Sequence, residues 1–150
     1  MKYGITTLTG ASPFDDGCLP LLSRAKELGF DDVEIFLQDP PGQCTYGLMR
    51  DEAARLGLEV SLCVMMTKAR EPSGTRAEAR SAGVQYLKQC VDAVVAMGGT
   101  IVCGPIYGAQ DYYGGEHATL WSQRERRQRR AWCIESLREA SQYAGSRWIS

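Results

Sequence analysis

Residues 21–37 read LLSRAKELGFDDVEIFL, and this stretch decides the fold. It predicts an amphipathic helix, a glycine stop and an apolar strand in direct succession. The same order recurs in RDEAARLGLEVSLCVMM (50–66) and YLKQCVDAVVAMGGTIVCGP (86–105), and ESLREASQYAGSRWIS (135–150) begins a fourth copy. The chain is therefore predicted to contain four strand–helix units, with KYGITTL (2–8) as the first strand.

The glycines and the strand composition indicate a parallel sheet. Gly29, Gly57, Gly98 and Gly145 fall where a helix needs a left-handed C-terminal cap, with a strand expected two or three residues later. Each strand segment is mostly large or β-branched apolar residues with little alternation, as in a strand covered on both faces. Helix and strand in this rhythm imply right-handed crossovers between parallel strands.

Two architectures share this pattern, the doubly wound open sheet and the (β/α)8 barrel. The doubly wound fold usually has a glycine-rich turn after the first strand, and ITTLTGAS (5–12) offers only Gly10. The loops after the strands are long and polar, which is typical of a barrel with its site at the strand carboxyl ends. We predict one domain over 1–150, an α/β parallel (βα)4 half of a (β/α)8 barrel, truncated at the start of strand five.

The composition narrows the classes of partner that the chain is expected to bind. The chain is 44% hydrophobic and 23% charged with net charge −1, which gives no electrostatic reason to expect nucleic acid or a membrane surface. No apolar run is long enough to span a membrane, and the N-terminus lacks a signal pattern. The six cysteines form no Cys-x-x-Cys pair, which favours free thiols in a reducing cytoplasm.

Two features invite other interpretations. The run RERRQRR (124–130) suggests a nucleic-acid surface, but Glu125 interrupts it, and a solvated helix face is favoured. His117 is the single histidine, so no site in one chain can contain two, and a solvated loop residue is favoured over a ligand.

Several segments together resemble a known family. KYGI (2–5), SPF (12–14) and AKELGFDDVEI (25–35) are similar to the xylose-isomerase-like TIM-barrel superfamily. SAGVQYLKQCVDAVVAMGGTIVCGPIYG (81–108) and WCIESLREASQYAG (132–145) continue the resemblance. The branch that the chain most resembles is that of the D-tagatose and D-psicose 3-epimerases and their sugar phosphate isomerase/epimerase relatives.

The resemblance implies isomerisation or epimerisation of a ketose or sugar phosphate by proton transfer next to a carbonyl. In the family a divalent metal (Mn²⁺, Mg²⁺ or Co²⁺) stabilises the enediolate, and two glutamates act as acid and base. The first metal-ligating glutamate would fall at about position 151, after Gly145, and the other ligands belong to strands six to eight. We therefore expect no catalytic residue and no bound metal in this chain, and no activity from it alone.

The resemblance places six residues at the substrate pocket. Cys63 lies near the sugar at strand three, and Glu34 is the recurrent acidic residue of strand two. Phe14 supplies an aromatic wall in the loop after strand one. The mouth of the pocket after strand four is formed by Cys103, Gly104 and Tyr107. Structural interpretations stay open beside these. Glu34 could be a structural carboxylate, and the two cysteines could be packed apolar residues.

Three functional hypotheses follow. The first is half of a sugar isomerase/epimerase, whose partner is a small-molecule sugar. The second is a non-catalytic half-barrel that forms a homo-oligomer or binds a complementary half, because its two edge strands would otherwise be open. The third is an open α/β binding domain, which predicts a monomer.

Overall fold

The computed structural model describes residues 1–12, 14–40, 44–109 and 121–147. In these ranges four strands alternate with four helices: β1 (Gly4–Thr6), α1 (Pro20–Glu27), β2 (Asp32–Phe36), α2 (Tyr46–Leu56), β3 (Glu59–Cys63), α3 (Ala77–Ala96), β4 (Ile101–Cys103) and α4 (Gln123–Arg147). Short 3-10 turns occupy Thr7–Thr9, Asp16–Cys18 and Lys68–Arg70. The predicted rhythm is confirmed, although β3 ends three residues earlier than expected, and α3 and α4 begin earlier.

The order of the strands separates the two architectures. The sheet runs β1-β2-β3-β4, and each neighbouring pair is parallel. A doubly wound sheet reverses its strand order at a switch point, whereas a barrel adds each strand beside the previous one. Consecutive order without reversal confirms the predicted half of a (β/α)8 barrel.

Three of the four predicted glycine caps are confirmed. Gly29, Gly57 and Gly98 have φ of 89°, 62° and 77°, a conformation that favours glycine. The prediction for Gly145 is wrong, because α4 continues through it to Arg147. An exposed glycine inside a helix destabilises it by only about 1 kcal/mol relative to alanine. The last turn is held by the Ser146 hydroxyl, which donates to the Tyr143 carbonyl at 2.7 Å.

One face of the sheet is buried on β2 and β3, and the other is partly exposed toward β4. Val33, Ile35 and Leu62 alternate onto one face and are buried. The residues between them point to the opposite face, which includes Glu34 and reaches Ile101 and Cys103 on β4. Ile101 is 56% exposed there, and Glu34 and Cys103 are half-buried. The second face therefore carries polar side chains within reach of a ligand.

The chain divides into two compact units, and the prediction of a single domain over 1–150 stays a prediction. The first unit comprises Met1–Val64 and Gln89–Cys103 and contains the sheet. The second comprises Met65–Lys88 and Gly104–Ser150 and contains α4.

A buried ion pair organises the second unit. The Arg129 guanidinium donates to the Glu71 carboxylate at 3.2 Å and to the Ser73 carbonyl at 3.3 Å, while the Ser73 hydroxyl donates to Glu71 at 3.1 Å. The guanidinium also lies 3.8 Å from the centroid of the Trp121 ring. The expectation that RERRQRR is a solvated face is therefore wrong for Arg129, although the other arginines of the run are exposed. No helix in the described ranges is long and apolar enough to cross a membrane.

Candidate functional site

The register of the sheet brings three predicted site residues to one place. Cys63 and Cys103 are the last residues of β3 and β4 and are paired with each other. Phe36 is the partner of Cys63 on β2, and Glu34 precedes it by two residues, so that its side chain lies on the same face. The longer glutamate side chain can therefore reach the level of the two thiols.

The side chains of this strand-end cluster, which we define as Glu34, Cys63 and Cys103, are in contact. The Cys103 thiol donates to Glu34 Oε2 at 3.1 Å. The two sulfur atoms and a Glu34 carboxylate oxygen all lie within 4.8 Å of one another. Cys63 is buried, and the other two are half-buried. The cluster thus combines one acidic group with two polarisable sulfur atoms at the carboxyl ends of parallel strands, where barrel enzymes place their sites.

Burial and the carboxylate keep both thiols protonated. Burial, followed by the hydrogen bond to Glu34 and its negative charge, raises the pKa of the Cys103 thiol to about 12. Burial and then the charge of Glu34 also raise the pKa of Cys63. Since the thiolate is the reactive form, neither cysteine is an activated nucleophile at neutral pH. The interpretation of these cysteines as packed pocket walls is the one that this chemistry supports.

Backbone contacts fix the positions of the strand ends. Beyond the strands themselves, the Leu37 N–H donates to the Cys63 carbonyl at 3.2 Å and the Val64 N–H to the Cys103 carbonyl at 3.1 Å. The Phe36 N–H donates to the Thr7 hydroxyl at 3.0 Å, so that buried Thr7 joins the ends of β1 and β2. Sequence reasoning missed Thr7, because a threonine after a strand has no distinguishing pattern.

The remaining predicted residues lie in different surroundings. Phe14 has no exposed surface and belongs to the core of the first unit, whereas Tyr107 is 63% exposed. Gly104 has φ of 114°, which favours glycine, and its carbonyl accepts from the Ile106 N–H at 2.8 Å. Gly104 therefore forms the turn after β4. His117 lies outside the described residues, and the pocket roles of Phe14, Gly104 and Tyr107 stay predictions.

The sequence model of one family, the xylose isomerase-like TIM barrel, matches residues 22–149. The chain belongs to this family. Its consecutive parallel strands are thus those of a xylose isomerase-like TIM barrel, and the resemblance seen in the sequence is confirmed.

The curated relatives that the chain resembles include two sugar epimerases. The chain is 25% identical over 151 aligned positions to the L-ribulose 3-epimerase of Methylomonas sp. (strain DH-1), covering all of this chain and 50% of that protein. It is 31% identical over 114 positions to the ketose 3-epimerase of Arthrobacter globiformis, covering 75% of this chain and 39% of that protein. The chain therefore spans half the length or less of these curated relatives.

Solved structures confirm the fold. A crystal structure of D-allulose 3-epimerase from Methylomonas sp. in complex with D-allulose superposes with a TM-score of 0.80 at 24% identity. The match covers 96% of this chain and 47% of that protein. The four strand–helix units of this xylose isomerase-like chain are accordingly half of a TIM barrel.

The described part of the chain does not supply a ligand set for the Mg²⁺ or Mn²⁺ that the resemblance implies. Mg²⁺ and Mn²⁺ prefer oxygen ligands. Within the described ranges the strand-end cluster is the group of three potential ligands that lie close enough together, and two of its three donors are sulfur. These residues do not fit Mg²⁺ or Mn²⁺, so no chemical step through such an ion is assigned to them.

Proposed function

We propose that this chain forms the substrate-facing half of a sugar isomerase/epimerase that acts on a ketose or its phosphate by proton transfer next to the carbonyl. The observation that carries the proposal is the convergence of three side chains from consecutive strands: the Glu34 carboxylate on β2 meets Cys63 and Cys103, the last residues of β3 and β4. Family membership and the epimerase names of the relatives support the same class of substrate.

The chemistry of the cluster suits binding better than turnover. A carboxylate accepts hydrogen bonds strongly, so Glu34 would bind a sugar hydroxyl in place of the Cys103 thiol, which is a weak donor. The two sulfur atoms would form the apolar wall beside it. Epimerisation needs an acid and a base on opposite sides of one carbon, and the cluster contains a single carboxylate. We therefore propose that this chain positions the sugar and does not turn it over alone.

A titration observed by NMR tests the binding proposal. D-Allulose and D-fructose are added to ¹⁵N-labelled chain treated with a chelator, and amide shifts are followed. We expect saturable shifts at the carboxyl ends of β2, β3 and β4, and weaker binding in Glu34→Gln. Cys133→Ser, which changes a half-buried thiol on α4, is the matched control and should bind as the parent chain does. Shifts confined to other elements, or none with either sugar, would contradict the proposal.

The absence of turnover is tested separately. Exchange of the sugar C3 proton for deuterium in D₂O reports epimerisation without any coupling enzyme. We expect no exchange above the protein-free rate, with or without added Mn²⁺, Mg²⁺ or Co²⁺. Exchange catalysed by the chain would show that its own residues complete an acid–base pair.

A second candidate function, assembly with another copy of the chain, rests on the open strand β4. In the described residues β1 and β4 are the two edges of the sheet. Ile101 is a large apolar residue on β4 and is 56% exposed. An open edge with apolar side chains favours pairing with another strand. We propose that two copies join through these edges.

Light scattering behind a sizing column measures this assembly. The parent chain should have the mass of a dimer, and Ile101→Lys should shift it to a monomer because a buried edge would have to accommodate a charge. A monomeric parent chain would contradict self-association and favour the open binding domain. The expected cytoplasmic location stays a prediction.

A further inference from the structure

The donor atoms of the strand-end cluster are those of a soft-metal site. Three side chains from three adjacent strands direct two sulfur atoms and one carboxylate oxygen into a space in which all pairs lie within 4.8 Å. Thiolate ligands select zinc and related thiophilic ions over magnesium or manganese. The cluster therefore differs in class from the oxygen-rich metal site that the family resemblance implies for the later strands.

The spacing is compatible with a tetrahedral ion. With Zn–S bonds of about 2.3 Å and a Zn–O bond of about 2.1 Å, tetrahedral angles place the two sulfurs about 3.8 Å apart and each sulfur about 3.6 Å from the oxygen. The Cys103 sulfur and Glu34 Oε2 are now 3.1 Å apart and share a hydrogen bond. Opening that contact by about half an ångström would bring it to the tetrahedral separation, and the other two pairs lie within 4.8 Å.

We propose that Glu34, Cys63 and Cys103 bind one thiophilic divalent cation, of which Zn²⁺ is the representative. Binding forms two metal–sulfur bonds and one metal–oxygen bond and releases the two thiol protons to solvent. Three protein ligands leave a fourth position for water, the arrangement of zinc sites that remain open to small molecules. The proposal stands on these three side chains and does not rest on the proposed sugar chemistry.

The backbone supports the site because each ligand sits on a regular strand. Cys63 and Cys103 are register partners, and the bonds from Leu37 and Val64 to their carbonyls extend the ladder past both ligands. Glu34 is held between β1 and β3 through its pairing with Thr6 and Ser61. Ligands on rigid strands lose less conformational freedom on binding a metal than ligands on loops.

Cobalt is the probe for the test. Co²⁺ is titrated into the chelator-treated, reduced chain, and the thiolate-to-cobalt charge-transfer absorption is recorded, since its intensity counts the coordinated sulfurs. Zn²⁺ is then added to displace the cobalt. We expect one ion per chain, an intensity of two thiolates, and complete displacement by Zn²⁺. No charge-transfer absorption, or an intensity of one thiolate, would overturn the proposal.

Variants assign the ligands. Cys63→Ser and Cys103→Ser should each halve the absorption and weaken Zn²⁺ binding by at least about tenfold, and Glu34→Gln should weaken binding while keeping the two-thiolate intensity. Cys133→Ser should leave both measurements unchanged. Binding of equal affinity in the Cys63→Ser/Cys103→Ser double variant would overturn the assignment. Circular dichroism verifies that each variant is folded, and the intensity in the parent chain tests the proposal even if one is not.

Discussion

Glu34 in the first compact unit and Glu71 in the second are both removed from full solvent contact, but their surroundings differ. Glu71 faces the Arg129 guanidinium and the Ser73 hydroxyl, and an aromatic ring stacks on that guanidinium. Glu34 faces two thiols and, among the residues that the structure describes, forms no ion pair. A carboxylate compensated inside the chain has a structural role, whereas one bound only by weak donors remains able to bind an outside ligand.

The largest effect on stability is expected from breaking the ion pair between Arg129 and Glu71. Arg129→Ala removes the guanidinium that pairs with a Glu71 side chain that is 4% exposed, so the free energy of unfolding should fall by about 3 kcal/mol. Urea unfolding followed by circular dichroism measures it. Arg130→Ala, at an exposed position of the same helix, should change it by less than about 0.5 kcal/mol.

A compensating pair of changes sharpens the same prediction. Glu71→Gln with Arg129→Met removes both charges and keeps most of the volume, so it should recover much of the stability that Arg129→Ala loses. If Arg129→Ala and Arg130→Ala were equally stable, Glu71 would not depend on the Arg129 guanidinium and its contrast with Glu34 would disappear.

Glycine substitutions extend the comparison from side chains to backbone packing. A Cβ at Gly99, just before β4, would lie 2.3 Å from the Val60 carbonyl oxygen and 2.8 Å from Val94 Cγ2. Gly99→Ala must displace a neighbour and should destabilise the chain by about 1–3 kcal/mol. A Cβ at Gly145 on α4 would meet nothing within 4 Å, so Gly145→Ala should stabilise it by about 0.5–1 kcal/mol. Thermal unfolding of both variants checks the signs, and destabilisation by Gly145→Ala would contradict the continuous α4.

Glu34→Gln tests the role of the carboxylate that faces the two thiols. The amide keeps an acceptor for the Cys103 thiol, so the free energy of unfolding should change by less than about 1 kcal/mol. Alkylation of Cys103 should become faster at about pH 8, because Glu34 contributes, after burial, to the raised pKa of this thiol. Each unit by which that pKa falls increases the thiolate fraction about tenfold.

Cys133 is the internal control for this measurement. Burial alone raises its pKa, so Glu34→Gln should leave its alkylation rate unchanged in the same chelator-treated sample. Mass spectrometry of the modified peptides separates the two sites. Equal acceleration at both cysteines would indicate general loosening of the fold, and no acceleration at Cys103 would mean that Glu34 has little influence on the thiol.

The fold was largely predictable because its signals are local. Apolar runs of strand length and glycines after helices specify the rhythm, and Gly29, Gly57 and Gly98 adopt the expected conformation. Local patterns do not contain strand order, since buried parallel strands look alike in barrels and doubly wound sheets. Gly145 was predicted wrongly for a related reason, because the helix around it outweighs the small unfavourable propensity of one glycine.

The site was predictable residue by residue but not as an assembly. The resemblance singled out Glu34, Cys63 and Cys103 separately, whereas their contact depends on the register that pairs Cys63 with Cys103 and places Glu34 one strand away. A charge pattern likewise cannot show which arginine of 124–130 turns inward. Arg129 does so and pairs with buried Glu71, which is far away in sequence.

Asp16 is a third carboxylate to compare with Glu34 and Glu71. It lies at the surface, and replacing it should have the smallest effect on stability. Its two oxygens accept from the Thr45 N–H at 2.6 Å and the Thr45 hydroxyl at 2.7 Å, and these bonds lower its pKa, the backbone bond most. A folded-state pKa below the unfolded value of about 3.9 means that the stabilisation is complete above that pH and is lost as pH falls through the folded pKa. The stability difference between the parent chain and Asp16→Asn should therefore shrink on acidification below about pH 4. Thr45→Ala keeps the N–H donor and should show the same trend with smaller amplitude, whereas a difference independent of pH would mean that the Asp16–Thr45 bonds do not persist in solution.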